Sequence, residues 1–274
     1  MFLKYILLIL AAIALFVIID SILEPRLPRI TRTVLGKGDT PVLRVVFFSD
    51  LHAEFCFVPP KTLADTIRRE KELNGLDMVI FGGDLVNDPL KAGKAVSFMK
   101  VVKDTCDDLD LRFIGVTGNH DVEVSSKDIR ECGFENLDND YTVFPTEKGD
   151  IYLSGIPDSG RKNRKWYTPK TPEGDHILRI LLSHNPDAAL HFSEDHGYDH
   201  MISGHIHGGQ IRTISGIEFK LLRKDELPRK GIISGKHMIN NMECFISKGI
   251  GCVFLPFRFR ARPEINILEF RIPE

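Results

Sequence analysis

The chain has 274 residues, of which 43% are hydrophobic and 27% charged, values that suit one large globular domain or two small ones. Lys and Arg number 36 against 38 Asp and Glu, so the chain lacks the basic excess typical of nucleic-acid-binding proteins. Its five scattered cysteines form no CxxC pair, which indicates buried reduced thiols and argues against a disulfide framework or a zinc knuckle.

The first predicted element is an apolar helix that begins with the run YILLILAAIALFVII at residues 5–19. This run would be about 22 Å long, and extension to Leu23 gives about 28 Å, close to the ~30 Å of a bilayer hydrocarbon core. A cleaved signal peptide is the alternative, but no small-x-small cleavage site follows Ile19. We therefore expect an uncleaved anchor over residues 1–24, which either spans the membrane or lies in one leaflet.

A basic stretch follows the apolar run. Its positive residues are Arg26, Arg29, Arg32 and Lys37, against Lys4 and the amino terminus on the other side. The positive-inside rule then places the remainder of the chain in the cytoplasm. Two prolines interrupt this stretch, so residues 25–39 are expected to form a linker, either solvated or held close to anionic head groups. Residues 40–274 show no repeat and no further boundary, and we expect one domain there.

From residue 42 onward, apolar runs alternate with amphipathic segments. VLRVVFFSD, DMVIFGGD and LRFIGVTGNHD read as strands, and KTLADTIRREKEL and GKAVSFMKVVKDTC between them read as helices. ILRILLSHNPD and YDHMISGHIH are two further strand-like runs. The rhythm predicts βαβ units with largely parallel pairing, and shorter alternating runs at residues 141–154 and after residue 211 favour antiparallel strands.

Polar residues able to bind a metal follow five of these apolar runs. They are Asp50 and His52 in SDLHAEF, Asp84 in GGDLVND, Asn119 and His120 in TGNHD, His184 in LSHNPD, and His205 and His207 in SGHIHGGQ. Any one of them has an ordinary explanation, because a strand-end Asp often caps a helix and a lone His is more often structural. Ligands of open α/β sheets bind beyond the carboxyl ends of the strands, so the joint pattern predicts a metal site. On a strand, the alternate spacing of His205 and His207 would place both imidazoles on one face.

Taken in order, the motifs DxH, GD, GNHD, H and GHxH resemble those of the calcineurin-like metallophosphoesterase superfamily. The resemblance implies an α/β fold, a four-layer αββα sandwich of two mixed sheets flanked by helices, with residues 40–274 as the catalytic domain. It also implies two divalent metal ions. Asp50, His52 and His207 would bind one ion, Asn119, His184 and His205 the other, and Asp84 would bridge them. Manganese is the expected metal, and iron, zinc or nickel also fit this nitrogen and oxygen ligand set.

The resemblance further implies a role for His120, which lies beside a ligand without being one. It would donate a proton to the leaving oxygen or stabilise the charge that builds on the phosphoryl group. Asp121 would orient His120 or cap the next segment. Two metal ions at such a site clamp the attacking and leaving oxygens of a phosphoryl displacement.

Two later segments bear on the substrate. The run CVFLPFRFRARPE at residues 252–264 alternates phenylalanines with Arg258, Arg260 and Arg262. On a strand the guanidinium groups would share one face and suit phosphate, while the phenylalanines would suit the core or acyl chains. The basic segment EFKLLRKDELPRKG at residues 218–231 is a predicted lid over the site. An ordinary edge strand and a solvated loop are the alternatives.

The layout is similar to the membrane-associated UDP-2,3-diacylglucosamine pyrophosphatases of lipid A synthesis. That similarity implies a lipid-linked phosphorylated substrate, cleaved to UMP and lipid X at the inner membrane, and no nucleic-acid partner. Another group with this activity has arginine where His120 stands, so a phosphodiesterase or phosphatase of broad specificity is the first alternative. A non-catalytic scaffold with the same fold is the second, although all seven predicted ligands are present. The oligomeric state stays open.

Overall fold

The computed structural model describes residues 2–158, 166–193, 195–213, 216 and 224–274. Its longer helices are α1 (Phe2–Leu23), α2 (Pro60–Asn74), α3 (Ala92–Asp108) and α4 (Ser126–Glu131). Its strands are β1 (Arg29–Leu35), β2 (Thr40–Phe48), β3 (Met78–Phe81), β4 (Arg112–Gly115), β5 (Glu135–Asn136), β6 (Asp140–Thr146), β7 (Gly149–Ile156), β8 (Leu178–Ser183), β9 (His200–Ser203), β10 (Gly235–Ile239), β11 (Met242–Ile246) and β12 (Glu264–Ile272). Shorter helical turns include Glu24–Arg26, Pro186–His191, His207–Gly209 and Glu226–Arg229.

The strands form two six-stranded mixed sheets. The first has the order β1-β12-β2-β3-β4-β5, and the second the order β10-β11-β9-β8-β7-β6. The predicted βαβ units are confirmed, because β2, β3 and β4 pair in parallel with α2 and α3 as their crossovers. Antiparallel pairing is found where the short runs indicated it, between β6 and β7 and between β10 and β11. The expected α/β architecture with two mixed sheets is thus the observed one.

Apolar side chains on both faces of the strands hold these layers together. In β2, Val45 and Phe47 point into the core between the sheets, while Val46 and Phe48 pack under the helices. This arrangement requires continuous apolar runs, which is why β2 and β3 show no polar alternation. Around the second sheet, the described residues provide only short helical turns on the outer face.

The segment expected to be a linker contains a strand of the first sheet. β1 pairs in parallel with β12 over its whole length, from Arg29 opposite Glu264 to Leu35 opposite Phe270. The prolines that indicated a loop precede the strand, and the alternation of RITRTVL after them suits an edge position. Residues 29–35 are therefore part of the folded domain.

Helix α1 has none of its residues buried. Among the described residues, the segment Phe2–Arg26 is the one helix long and apolar enough to cross a membrane, a property that signal sequences share. The turn after it packs into the domain, since Glu24 and Pro25 are buried. The apolar helix and the globular domain therefore meet directly.

Candidate metal centre

The first sheet contributes four of the predicted ligands from the carboxyl ends of three adjacent parallel strands. Asp50 and His52 follow β2, Asp84 follows β3, and Asn119 follows β4. The side chains of Asp50, His52 and Asp84 are buried, and His52 Nε2 lies 3.4 Å from Asp84 Oδ2. Parallel pairing thus brings together residues that are far apart in the chain.

The second sheet contributes three imidazoles to the same place. His184 follows β8, and His205 and His207 follow β9. His184 Nε2 is 3.1 Å from Asp84 Oδ2, and His207 Nε2 is 3.2 Å from both Asp50 Oδ1 and His52 Nε2. Carboxyl ends of both sheets therefore converge on one cluster.

The cluster divides into two groups that could each hold a metal ion. One group contains Asp50, His52, Asp84 and His207, and the other contains Asp84, His184 and His205, with ligand atoms within 4.8 Å of one another in each. Asp84 belongs to both groups. This division agrees with a dinuclear arrangement in which one carboxylate is shared.

Three atoms of the second group's side lack the hydrogen bond that a buried polar atom normally makes. Within the described residues, Asn119 Oδ1, His184 Nε2 and His205 Nε2 are buried without a well-formed hydrogen bond, and the two imidazole atoms face carboxylate oxygens, Asp84 Oδ2 at 3.1 Å and Asp225 Oδ1 at 3.5 Å. Leaving a buried acceptor unpaired costs about 1–3 kcal/mol, so an arrangement of three together calls for another electron-pair acceptor. The donor set therefore fits a metal ion.

Backbone hydrogen bonds fix how these side chains point. His184 Nδ1 is 2.6 Å from the carbonyl oxygen of Gly82, so Nδ1 donates and the lone pair of Nε2 faces the cluster. Asp50 accepts hydrogen bonds from Ser49 Oγ at 2.6 Å and from the His205 backbone nitrogen at 2.9 Å. Contacts outside the cluster thus orient ligands from both sheets.

The backbone at this site is strained. Five of the predicted ligands have positive φ values: Asp50 (53°), His52 (38°), Asp84 (63°), His205 (70°) and His207 (56°). Residues with side chains rarely adopt this region, and such strain clusters at functional sites. The strand geometry expected for His205 and His207 is wrong, because β9 ends at Ser203 and His207 begins a helical turn. The left-handed backbone, and not strand alternation, directs the two imidazoles into the cluster.

Two glycines allow neighbouring backbones to approach the carboxylates. A Cβ at Gly118 would lie 2.2 Å from Asp84 Oδ1, and one at Gly204 would lie 2.5 Å from Asp50 Oδ2. Both distances are far below van der Waals contact. Any side chain at these positions would displace a predicted ligand.

Charge at the centre is balanced by its own residues. Burial alone would raise the pKa of Asp84, but the adjacent imidazoles of His184 and His52 hold that pKa well below its ordinary value. The carboxylate is therefore ionised and attracts positive charge. Protons on the imidazoles or metal cations can both supply that charge.

His120 lies at the rim of the cluster. Its backbone nitrogen donates to Asp84 Oδ1 at 2.9 Å, and its ring is edge-on to that of His52 at a centroid distance of 5.0 Å. Burial lowers the pKa of His120, with the carboxylate of Asp84 opposing the shift. The lowered pKa favours the neutral imidazole, so it is the position of His120 at the rim of the cluster that suits proton exchange with a leaving oxygen.

Asp121 connects the two neighbouring site loops. Its carboxylate accepts hydrogen bonds from the backbone nitrogens of Asp84 (2.9 Å), Leu85 (2.8 Å) and Gly118 (2.8 Å). These contacts hold the β3 and β4 loops at a fixed separation. Asp121 thus supports the backbone around Asp84, a role closer to capping than to orienting the His120 ring.

The three arginines predicted to contact substrate occupy different environments. Arg258 has 0% of its surface exposed, and its guanidinium donates to the carbonyl oxygens of Ala261 (2.7 Å) and Lys248 (2.8 Å). Its role is structural, so the expectation of a phosphate contact is wrong for this residue. Arg260 is exposed and Arg262 is partly exposed. Residues 253–261 contain no strand, so the expected separation of aromatic and basic faces is absent there.

Sequence reasoning missed the role of Gln210, which follows the glycines after His207. Its side chain donates to the carbonyl oxygens of Val253 (3.0 Å) and Leu255 (3.1 Å) and accepts from the Val253 backbone nitrogen (2.7 Å). Gln210 is the last residue of the motif SGHIHGGQ, but its hydrogen-bond partners lie more than forty positions away in the chain, so the motif alone does not reveal this role. Residues 218–223 of the predicted lid lie outside the described residues, and the remainder includes the helical turn Glu226–Arg229.

Comparisons with known proteins agree with this geometry. The sequence model of the calcineurin-like phosphoesterase family matches residues 43–209, a range that contains all seven predicted ligands. The chain is 26% identical over 231 residues to the uncharacterized metallophosphoesterase YkoQ of Bacillus subtilis (strain 168), with 82% of each chain covered. It is 30% identical over 244 residues to the uncharacterized protein YpbG of the same organism, covering 87% of this chain and 84% of YpbG. It is also 26% identical over 246 residues to the phosphodiesterase YaeI of Escherichia coli (strain K12), covering 87% of this chain and 86% of YaeI.

Proposed function

Because this chain belongs to the calcineurin-like phosphoesterase family, whose members hydrolyse phosphoester bonds, we propose that it is a membrane-anchored hydrolase with two metal ions that cleaves a lipid-linked pyrophosphate. The observation that carries the proposal is the pair of ligand groups that share Asp84. The unpaired buried atoms of Asn119, His184 and His205 give it independent support.

The ligand assignment follows these groups. Asp50, His52 and His207 would hold one metal ion, Asn119, His184 and His205 would hold the second, and Asp84 would be shared by both. Manganese is the metal we propose, and iron, zinc or nickel would also fit these oxygen and nitrogen donors, which include no thiolate. When bound, the ions supply positive charge that activates water and stabilises the oxygens of the reacting phosphoryl group.

The chain's own residues supply the remaining chemistry. His120 donates a proton to the departing oxygen, and its place beside Asp84 keeps it within reach of a phosphoryl group held at the cluster. Asp121 keeps the loops of Asp84 and Asn119 in register through its backbone contacts. Arg260 and Arg262 attract the phosphorylated substrate through their positive charge.

UDP-2,3-diacylglucosamine, cleaved to UMP and lipid X, is the substrate we propose. The apolar helix α1 and the exposed apolar side chains near His120 support a substrate with acyl chains. A phosphodiesterase of broad specificity is the second candidate, and the similarity to YaeI favours it.

Localisation is part of the same proposal. In this proposal helix α1 is an uncleaved inner-membrane anchor, and the basic residues Arg26 and Arg29 after it support a cytoplasmic position of the domain. The intact mass of protein extracted from membranes tests this directly. A mass lacking the first two dozen residues would make α1 a signal sequence and overturn the anchor.

Substrate comparison provides the test of function. Full-length protein in detergent should release UMP from UDP-2,3-diacylglucosamine rapidly when manganese is added, and should cleave bis-p-nitrophenyl phosphate slowly. Fast cleavage of the diester without UMP release would contradict the proposed substrate but would still support metal-dependent hydrolysis of phosphoester bonds. Turnover that persists in EDTA, or is absent with every metal and both substrates, would overturn the metal-dependent hydrolase.

A further inference from the structure

We propose that residues 253–257, named here the apolar loop, form a second membrane contact that places the mouth of the metal centre on the lipid surface. The inference rests on the proposed role of α1 as an anchor, and it concerns a surface that the proposed chemistry does not require. Phe254, Leu255 and Phe257 are the apolar side chains of this loop, with 67%, 53% and 37% of their surfaces exposed. Three large apolar residues exposed side by side mark an interaction site on a soluble surface.

The apolar loop is attached to the end of α1. The Arg258 backbone nitrogen, just after the loop, donates to the Ser21 carbonyl oxygen at 3.1 Å. The Glu24 carboxylate accepts from the Arg260 backbone nitrogen at 2.8 Å and from that of Ala261. Since Glu24 is buried in the domain, no free linker separates the last apolar turn of α1 from this loop.

This attachment sets the depth of the loop. Helix α1 has 22 residues and is therefore about 33 Å long, enough to cross a ~30 Å hydrocarbon core. Ser21 lies within its last turn, so the loop bonded to it lies at the level of the membrane interface. Side chains there can enter the boundary between head groups and acyl chains, which is about 5–10 Å deep.

The basic residues around the apolar loop favour contact with the same membrane surface. Arg26, Arg29 and Arg260 are exposed around the junction between α1 and the domain. Basic residues beside apolar ones favour anionic lipid, because cations near the surface are attracted to its negative potential. A bilayer is therefore the partner that satisfies both the apolar and the basic parts of this face.

The apolar loop is rigidly connected to the metal centre as well. Gln210, three residues after His207, bonds Val253 and Leu255, and Asn87 Oδ1 accepts from the Phe254 backbone nitrogen at 3.2 Å. The ring of Phe254 lies 5.7 Å from that of His120, centroid to centroid. A membrane that covers the loop therefore lies next to the proposed proton donor, and a phosphoryl group anchored in lipid reaches the site without leaving the surface.

Depth-dependent fluorescence quenching tests the contact. Full-length protein carrying Trp166→Phe and Leu255→Trp would be reconstituted in vesicles of phosphatidylcholine and phosphatidylglycerol, with and without dibrominated phosphatidylcholine. We expect a blue-shifted emission that brominated lipid quenches strongly. Phe257→Trp in the same background repeats the test at a second position.

Met238→Trp is the matched control. Met238 is 64% exposed on β10. Lys236 of the same strand donates to the Val34 carbonyl oxygen near the far end of β1, about 17 Å along the strand from Arg29 at the near end. This tryptophan should not be quenched. Equal quenching at all three positions, or none at 255 and 257, would overturn the proposal.

Two further readouts separate the outcomes. A blue shift at 255 without quenching, together with a dimeric mass by light scattering, would make the loop a contact between two copies and overturn the lipid assignment. The fluorescence measurement does not depend on turnover, so it still tests the membrane contact if the proposed hydrolysis is not observed.

Leu255→Ser should lower hydrolysis of a lipid-embedded substrate about tenfold and leave bis-p-nitrophenyl phosphate cleavage in detergent unchanged.

Discussion

Asp84 connects the two ligand groups of the site. Its carboxylate belongs to both ligand groups, accepts from the His120 backbone nitrogen at 2.9 Å, and lies 3.1 Å from His184 Nε2. Asp84→Asn keeps the size of the side chain but removes the negative charge that two cations would share. We expect the purified variant to lose bound metal and to lose hydrolysis of bis-p-nitrophenyl phosphate. Metal analysis beside the activity assay measures both, and near-normal turnover would contradict the shared-carboxylate arrangement.

His120→Ala separates proton donation from metal binding. His120 lies beside the cluster and belongs to neither ligand group, so the variant should retain the metal content of the unchanged protein. Loss of a positioned acid typically costs 10²–10⁴-fold in rate, and we expect kcat to fall by about that factor. A substrate with a good leaving group such as p-nitrophenolate should be affected less than an alkyl diester. Loss of metal in this variant would mean that His120 is a ligand.

Local patterns identified the residues that converge on the cluster, whereas the way the backbone presents them could not be predicted from sequence. Asp50, Asp84 and His184 follow strands, and the rule that ligands bind beyond strand ends is sufficient to group them. The positive φ values of His205 and His207 accompany contacts with distant residues, such as the hydrogen bond from the His205 backbone nitrogen to Asp50 Oδ1. Arg258 shows the same limit, because its burial results from carbonyl groups at positions 248, 251 and 261 that no local pattern connects.

At the scale of elements, β1 is held against the domain by one ion pair as well as by its strand partner. The Arg32 guanidinium makes two hydrogen bonds to the Glu70 carboxylate of α2, at 2.7 and 2.5 Å, and the Glu70 side chain is 2% exposed. β1 pairs only with β12 among the described strands, so this contact secures an edge. Arg32, one of the basic residues that indicated a linker, therefore has a structural partner in Glu70.

Glu70→Gln should weaken this edge in a pH-dependent way. The Arg32 hydrogen bonds lower the pKa of Glu70 below its ordinary 4.5, so the contribution to stability is complete above that pH and is lost as the pH falls further. Because Arg32 is 56% exposed and the pair is screened by solvent, we expect a loss of about 1 kcal/mol or less at neutral pH. Urea unfolding from neutral pH down to about pH 3 should show the two proteins converging.

Asp65→Asn provides the control on the same helix. Asp65 pairs with Lys61 at 3.0 Å, and both side chains are more than half exposed. Its replacement should change the free energy of unfolding little at any pH. If Glu70→Gln behaved like Asp65→Asn at neutral pH, the Arg32 contact would contribute nothing to holding β1.

At the scale of the whole molecule, the proposed metal ions join the two sheets. Asp50, Asp84 and Asn119 come from the first sheet, and His184 and His207 come from the second. A cation bound between them exists only in the folded chain, so its binding free energy adds to that of folding. At a free metal concentration about a hundredfold above Kd, this linkage is worth about 2.7 kcal/mol.

Removal of metal should therefore lower the melting temperature. For a domain of this size each kcal/mol corresponds to about 2–4 °C, so EDTA treatment of full-length protein in detergent should lower Tm by about 5–10 °C relative to protein with excess manganese. Asp84→Asn should show a smaller difference between the two conditions, because its ligand groups have lost the shared carboxylate. An unchanged Tm in a protein whose hydrolysis requires metal would mean that the ions add nothing to the stability of the folded chain. The size of the shift thus measures how strongly the folded chain, compared with the unfolded chain, binds the ions.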